Sequence, residues 1–306
     1  MRKVREEDPV NRQSQGQARP TVLDAVKLSE EYLARHQVES PRLSAERLLA
    51  KALDCSRMDL YLNYDRVLDE DILGGYRTDL RKRAEHYPLQ YIIGETEFFS
   101  LPFRVAEEVF IPRPETELLI ERAEEMFESD RPVRFLEFGL GSGVVSGTLA
   151  SRHQRWEGAG FDISLKAVKL SRENFRSLGV IGRVQTFVSS GFEAVSSEQR
   201  FDLIISNPPY IPAGDIDGLQ KEVSVYENRT ALNGGADGSE FYPLLAAAGR
   251  EHLEPNGVLL VETGEGMGEM VKSIFRENGF VDIEITPDYS GLERVVSAVC
   301  PKGEER

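Results

Sequence analysis

The sequence predicts a doubly wound α/β domain of seven strands, preceded by a small helical domain and a β-hairpin connector. Three observations carry that prediction. From Arg113 onward, short apolar runs of strand character alternate with longer segments of helical spacing. The first of those runs ends in a glycine-rich turn, Gly139-Leu140-Gly141-Ser142-Gly143, that opens a helical segment. Before Arg113 the periodicity is helical to about residue 85 and then changes character.

Met1 to Pro20 is charged and polar, without the apolar core of a signal peptide, and is expected to be a disordered tail. Thr21 followed by Asp24 is a capping pattern, and Val22, Ala25, Val26, Leu28 and Leu33 recur at roughly helical spacing. Ser40-Pro41 marks a second helix start, with Leu43, Leu48, Leu49, Ala52 and Leu53 on its apolar side. Met58–Leu62 reads as a short third helix and Asp69–Glu85 as a fourth. Residues 21–88 thus form a helical domain, marginal alone and expected to pack against the remainder of the chain.

Over residues 89–111, Tyr91-Ile92-Ile93-Gly94, Glu97-Phe98-Phe99 and Leu101-Pro102-Phe103-Arg104-Val105 read as a strand–turn–strand connector. In residues 112–306 the strand candidates are Arg134–Phe138, Gly158–Phe161, Arg183–Val188, Phe201–Ser206, Val258–Glu262, Val281–Ile285 and Val295–Cys300. Helices are expected over Val144–Arg152, Leu165–Leu178, Ser239–Leu253 and Gly268–Asn278. A short loop joins the last two strands, which predicts an antiparallel pair at the sheet edge.

The 306 residues are 40% hydrophobic and 29% charged, with a net charge of -15. Such an acidic surface opposes phosphate backbones, so stable nucleic-acid binding is not expected. Cys55 and Cys300 lie far apart, and the four histidines are scattered, so neither a disulfide framework nor a metal site is indicated. No stretch has the length of a membrane span, and a cytoplasmic protein is expected.

Four segments carry chemistry. In the glycine turn, glycines at every second position let the backbone pass close to a ligand. Its G-x-G-x-G spacing differs from the G-x-G-x-x-G of a dinucleotide pyrophosphate site. Asp162, nineteen residues after Gly143, ends the next strand, where a carboxylate accepts both hydroxyls of a ribose; alone it is as readily a helix cap. Ser190-Gly191-Phe192 follows the third strand. There Phe192 either stacks on a base or is an ordinary core aromatic, with equal weight on each.

The most informative segment is Asn207-Pro208-Pro209-Tyr210, directly after Phe201–Ser206. Two prolines donate no backbone hydrogen bonds and hold the chain extended. The Asn207 side-chain oxygen and the Pro208 carbonyl then stand as fixed acceptors beside an aromatic ring, a cradle for a planar NH2 group. By itself the dipeptide Asn-Pro is most often a turn. Glycine loop, ribose carboxylate and amine cradle in consecutive β-α units describe a Rossmann-like class I methyltransferase sheet that uses S-adenosyl-L-methionine on an NH2-bearing substrate.

Residues outside those units narrow the reading. They are Pro88-Leu89-Gln90-Tyr91-Ile92-Ile93-Gly94, Phe110-Ile111-Pro112-Arg113-Pro114-Glu115-Thr116-Glu117, Tyr226-Glu227, Ala231-Leu232-Asn233-Gly234-Gly235-Ala236-Asp237-Gly238 and Gly291-Leu292-Glu293-Arg294-Val295-Val296. With Asn207-Pro208-Pro209-Tyr210-Ile211 they make the chain, from about residue 21 to 300, resemble the HemK/PrmC family of peptide chain release factor N5-glutamine methyltransferases. The resemblance implies that Gly139, Leu140, Gly141, Ser142, Gly143, Asp162, Phe192 and Asn207 contact the cofactor. It implies that Asn207, Pro208, Pro209 and Tyr210 hold the glutamine of the Gly-Gly-Gln loop of a release factor, the protein partner. It also implies that the helical domain helps dock that partner. The Ile111–Glu117 segment is expected to line the cofactor pocket, with Pro112, Pro114 and Glu117 read as local structure.

The chain departs from the family at Gly191, where an acidic residue is usual, at Phe192, often Trp, and at Leu140, Asn228 and Met267. The missing carboxylate removes an acceptor for the adenine amine, with Ser189 or Ser190 as substitutes.

The implied chemistry is in-line attack by the glutamine amide nitrogen on the sulfonium methyl. Asn207 and Pro208 accept the two N–H groups as charge builds on nitrogen, and Tyr210, with Phe99 as a weaker candidate, packs on the amide plane. An N6-adenine nucleic-acid methyltransferase uses the same tetrapeptide on a flipped base, but the acidic charge opposes it. Glutamine methylation of a ribosomal protein, or a cofactor-binding scaffold without turnover, are the other readings.

Overall fold

A computed structural model of the chain describes residues 19–128 and 130–302. The tail expected over Met1–Pro20 lies, as far as residue 18, outside the described residues. The chain divides into two units: residues up to Gly94 together with Lys221–Tyr226, and Glu95–Gln220 together with Glu227 onward.

The first unit is helical. Helix α1 (Val22–Arg35) opens on the expected capping box, Asp24 N donating to Thr21 Oγ1 and Thr21 N to Asp24 Oδ2. Helix α2 (Pro41–Leu53) has proline at its first position. Helix α3 (Arg57–Leu62) carries a second capping box, from Ser56 and Asp59, and α4 (Glu70–Ala84) follows. Their apolar stripes meet in one core around Val22, Leu33, Leu48, Leu49, Leu73 and Tyr76.

One expectation fails at the end of this unit. Tyr91–Ile93 is not a strand but part of a short helix, α5 (Leu89–Ile93). Pro88 fixes the helix entry, and Gly94, at φ +87°, closes the exit with its N–H on the Gln90 carbonyl at 2.7 Å. Those end signals and the burial of Leu89 and Ile92 in the helical core override the β-propensity of Tyr-Ile-Ile.

The second unit begins with the hairpin itself, β1 (Glu95–Phe98) and β2 (Leu101–Arg104), antiparallel across a two-residue turn. Both turn residues, Phe99 and Ser100, have positive φ, as the tight hairpin turn of matching twist requires. Phe99 N–H donates to Glu117 Oε1 at 2.7 Å, so Glu117 braces the turn. Helix α6 (Glu117–Met126) leads to β3 (Val133–Phe138), α7 (Val144–Arg152), β4 (Trp156–Asp162), α8 (Leu165–Ser177), β5 (Val184–Val188) and β6 (Phe201–Ser206). The short helix α9 (Lys221–Ser224) lies in the stretch that belongs to the first unit. Then come α10 (Phe241–His252), β7 (Leu253–Glu262), α11 (Gly268–Glu277), β8 (Val281–Pro287) and β9 (Glu293–Val299).

All seven predicted strands form, in the order β5-β4-β3-β6-β7-β9-β8. Strands β3 to β7 run parallel to one another, and β9 is antiparallel to both β7 and β8. The last two strands do pair antiparallel, but only β8 is the edge. Strand β9 inserts beside β7 because Val295, Val296 and Ala298 are apolar on both faces and need cover from two sides.

Alternation within strands divides the core. Phe135, Leu203, Ile205, Val258 and Leu260 face α6, α7 and the hairpin, whose Phe98 and Phe103 join that cluster. Leu136, Ile204, Leu259 and Val261 face α10 and α11. Among the described residues no helix is long and apolar enough to cross a membrane.

Candidate active site

Strand order reverses around β3, whose neighbours are β4 on one side and β6 on the other. In an open α/β sheet this switch point leaves a crevice outside the carboxyl ends of the strands. The four segments singled out in the sequence follow β3, β4, β5 and β6, which are adjacent in the sheet. The register is level, with Phe138 opposite both Phe161 and Ser206, and Asp162 opposite Val188.

Gly139, Gly141 and Gly143 all have positive φ, a conformation that costs glycine little. A side chain at Gly143 would strike the Phe175 ring, whereas the space beside Gly141 is open to 4 Å. Gly139 and Leu140 N–H both donate to the Phe161 carbonyl, Gly143 N–H to the Leu140 carbonyl, and Gly141 N–H to Asp162 Oδ2 at 2.9 Å. Four loop amides are therefore used inside the fold, which is a poor nest for phosphate and a tight turn for the backbone. The Leu140 side chain is buried against Gly160, so only its backbone borders the crevice. Ser142 is buried as well, its carbonyl accepting from Asn174 Nδ2 at 2.8 Å.

Asp162 does both things the sequence leaves open. Its Oδ1 accepts from Ser164 N–H at 2.8 Å at the start of α8, and its Oδ2 holds Gly141, each oxygen keeping a further lone pair. Behind it, buried Glu137 accepts from Ser146 N–H at 3.0 Å and from the Ser146 hydroxyl. Burial pushes the Glu137 carboxyl up to about 8 and raises that of Asp162. Ile163, just after β4, Leu165, at the start of α8, and Val188, at the end of β5, are apolar and 61%, 55% and 47% exposed.

Phe192 lies in the core. Its ring stacks on Phe138 at 5.7 Å, meets Phe161 edge-on and lies nearly parallel to His252. Of the two readings of this ring, packing is the one the geometry carries. An acidic side chain stands close to Gly191. Glu193 Oε1 accepts from the Ser190 hydroxyl at 2.8 Å and the Ser189 hydroxyl at 3.2 Å. Its carboxylate lies over Gly191, and its own backbone N–H and the Ser190 hydroxyl hold its pKa below the usual carboxylate range.

At the end of β6 the Asn207 carbonyl lies 3.7 Å from where a Gly139 side chain would begin, so cradle and glycine loop are neighbours. The Asn207-Pro208-Pro209-Tyr210 backbone is bracketed from behind by the Ala231–Gly238 run. Ile211 N–H donates to Leu232, Gly234 N–H to Ile211 and Ala213 N–H to Gly235. Any side chain at Gly234 or Gly238 would collide with the Pro209 or Tyr210 backbone, which explains those glycines. The side chains are fixed by a buried network. Asn207 Nδ2 donates to Thr116 Oγ1 at 3.0 Å, the Thr116 hydroxyl to Glu262 Oε2 at 2.7 Å, and the Tyr210 hydroxyl to Glu262 Oε1 at 3.1 Å. Burial pushes the Glu262 carboxyl up to about 7 and raises the Tyr210 phenol. Arg113, in the same segment as Thr116, pairs with Glu227 and lies over the Phe110 ring.

Sequence reasoning groups Thr116 with the cofactor pocket and misses Glu137, Ile163, Glu193 and Glu262. Position alone is the signal that finds them: each is at a strand end or within two residues of a residue that motif singles out.

Residues 24–94 match the model of the PrmC N-terminal domain and residues 114–236 that of the methyltransferase small domain. The chain is 42% identical to the release factor glutamine methyltransferase of Geobacter sulfurreducens, over 87% of this chain and 92% of that protein. The chain belongs to the release factor glutamine methyltransferase family. Similar relatives of that description occur in Aquifex aeolicus, 37% identical over 86% of this chain and 92% of that protein, and in Rhodopirellula baltica, 34% identical over 90% and 95%. A crystal structure of a methyltransferase from Pyrococcus furiosus superposes with a TM-score of 0.51 at 16% identity, covering 67% of this chain and 91% of that one. That likeness identifies the fold of the second unit's sheet as that of a class I methyltransferase. In this member of the release factor glutamine methyltransferase family, the β5 loop pairs Gly191 with Glu193.

Proposed function

We propose that the protein transfers the methyl group of S-adenosyl-L-methionine to the side-chain amide nitrogen of the glutamine in the Gly-Gly-Gln motif of peptide chain release factors. One observation carries the chemical part: Asn207 Nδ2 is taken by Thr116, which leaves Oδ1 as an acceptor next to the Pro208 carbonyl. Membership of the family supports the substrate.

The crevice suits the cofactor. Gly141 leaves its surroundings open, and Asp162 has lone pairs to spare for ribose hydroxyls. Ile163 and Val188 would flank the base, with Glu193 as acceptor for its amine. Leu140 and Ser142 would contribute backbone, and Phe192 only support from beneath. S-adenosyl-L-methionine supplies an electrophilic methyl group on a sulfonium centre.

The rest is the work of the chain. An amide nitrogen is a poor nucleophile because its lone pair is delocalised into the carbonyl. Asn207 Oδ1 and the Pro208 carbonyl accept hydrogen bonds from its two N–H groups, orient the lone pair and stabilise positive charge as the nitrogen pyramidalises, and the methylated nitrogen then gives up one proton to solvent. Fixed placement of the amide is worth on the order of 7–11 kcal/mol in systems of good alignment. Pro209 keeps the segment extended, and the Tyr210 ring, held by Glu262 at its hydroxyl, packs beside the amide and excludes water.

The test is to incubate the purified protein with S-adenosyl-L-methionine and an unmodified release factor and map mass gain by tandem mass spectrometry. A gain of one methyl on the Gly-Gly-Gln glutamine is expected. A gain only on DNA or on a ribosomal protein would overturn the assignment.

A further inference from the structure

Glu262 ends β7, next to β6 in the sheet, with Ser206 opposite Val261, and the Thr116 hydroxyl links it to Asn207. It is 1% exposed, and Thr116 only 2%. An ionised carboxylate accepts hydrogen bonds and donates none. When Glu262 is ionised, both hydroxyls that reach it, from Thr116 and from Tyr210, therefore spend their protons on it. Thr116 Oγ1 is then left with lone pairs alone towards Asn207. The amide of Asn207 has nearly the same shape either way round, and only its NH2 end is compatible with those lone pairs. The opposite flip would set two acceptors against each other at 3.0 Å.

We infer that Glu262 is a positioning residue that decides, through the Thr116 hydroxyl, which end of the Asn207 amide is offered to the substrate. This rests on the proposed transfer to a glutamine amide and deepens it: the acceptor that reads the substrate NH2 is set by a carboxylate that never touches substrate. The same carboxylate anchors the Tyr210 hydroxyl, so the two side chains that hold the amide share one buried reference point. Replacing Glu262 by Gln would break that logic. Thr116 and Tyr210 reach different oxygens of the carboxylate, so in the variant one of the two hydroxyls must confront an NH2 group.

The discriminating variants are Thr116→Val, which keeps the shape and removes the hydroxyl, and Thr116→Ser, which restores it. Thr116→Val is expected to lower kcat roughly ten- to a hundredfold, somewhat less than loss of a direct transition-state contact. The KM for the release factor and the affinity for S-adenosylhomocysteine, read by calorimetry, stay at wild-type values, and Thr116→Ser recovers most of the loss. Wild-type kcat in Thr116→Val would overturn the inference, as would a Thr116→Ser variant as impaired as Thr116→Val. An independent readout is the Asn207 side-chain NH2 in nitrogen–proton NMR spectra. One of its protons is expected to be shifted and protected from exchange in the wild type and to lose both properties in Thr116→Val. An Asn207 NH2 identical in the two proteins overturns the relay even if no methyl transfer is found, whereas absence of transfer by the wild type alone overturns only the proposed function.

Discussion

The carboxylate of Glu193 occupies the space over the α-carbon of Gly191, so that a β-carbon built on Gly191 would lie 2.6 Å from Oε2. The glycine here serves no turn, since its φ of -163° is open to any residue. It makes room for a carboxylate arriving from two positions downstream, held by the Ser189 and Ser190 hydroxyls. Glu193→Gln is expected to leave S-inosylhomocysteine binding unchanged and to weaken S-adenosylhomocysteine binding severalfold, because only the adenosyl compound has the amine. Gly191→Ala, which displaces the carboxylate, is expected to do the same. Calorimetric titrations with the two compounds decide it; equal losses for both would assign Glu193 to loop structure instead.

Asn207→Asp places a second carboxylate beside a Thr116 hydroxyl whose proton already belongs to Glu262. The repulsion drives the new side chain away from Thr116 and out of the cradle. Single-turnover methylation is expected to fall by about two orders of magnitude or more. Binding of S-adenosylhomocysteine is expected to fall only modestly. Near-normal turnover in this variant would rule out Asn207 as the substrate acceptor.

The buried carboxyls make stability depend on pH in a stated direction. Burial raises Glu137 to about 8 and Glu262 to about 7 from an ordinary value of 4.5. Their protonated forms favour the fold, so this contribution is fully present below about pH 4.5 and is lost as pH rises through 7 and 8. Glu137→Gln keeps an acceptor for Ser146 N–H and removes the titration. Thermal melts are expected to show the variant more stable than wild type at pH 9, by on the order of a few kcal/mol, with the gap closing by pH 5. A gap that stays constant with pH would show that Glu137 ionises as freely in the fold as outside it.

Turnover has its own pH dependence. Glu262 faces the Thr116 and Tyr210 hydroxyls, with Glu115 in the segment of Thr116, Arg294 on β9, and the Tyr242 hydroxyl of α10 on its backbone carbonyl. As pH falls through about 7 the carboxyl gains a proton, becomes able to donate, and stops fixing the Thr116 hydroxyl. Accordingly kcat is expected to rise with pH across an inflection near 7, and Glu262→Gln to lack that inflection. The pH profile of kcat at saturating substrates is the measurement, and an unchanged inflection in the variant would assign it elsewhere.

Much of the fold is legible in the sequence because the central strands are buried on both faces and read as short continuous apolar runs. Phe135 against Leu136, and Ile204 against Ile205, face opposite layers, so the seven runs stand out. Helix starts are located by local end signals, the capping box of Thr21 and Asp24 and the proline of Ser40-Pro41. Tyr91-Ile92-Ile93 misleads because its strand propensity is strong, while the flanking Pro88 and Gly94 decide its conformation. The insertion of β9 between β7 and β8 depends on burial of both its faces, which chain order does not encode. In the candidate site, Asn207 and Asp162 announce themselves by motif. Thr116 and Glu262 do not, since they meet across 146 residues and only the pairing of β6 with β7 and the placement of the Arg113–Glu117 segment bring them together. Glu193 escapes notice because its carboxylate reaches the space over position 191 from two residues downstream.

The most direct measurement compares two release factors in one labelled-methyl assay: the unmodified protein and a variant with glutamate in place of the Gly-Gly-Gln glutamine. One methyl group per molecule on the first and none on the second is expected, with tandem mass spectra placing it on the glutamine side chain. Label on both factors, or on neither, would contradict methyl transfer to that amide.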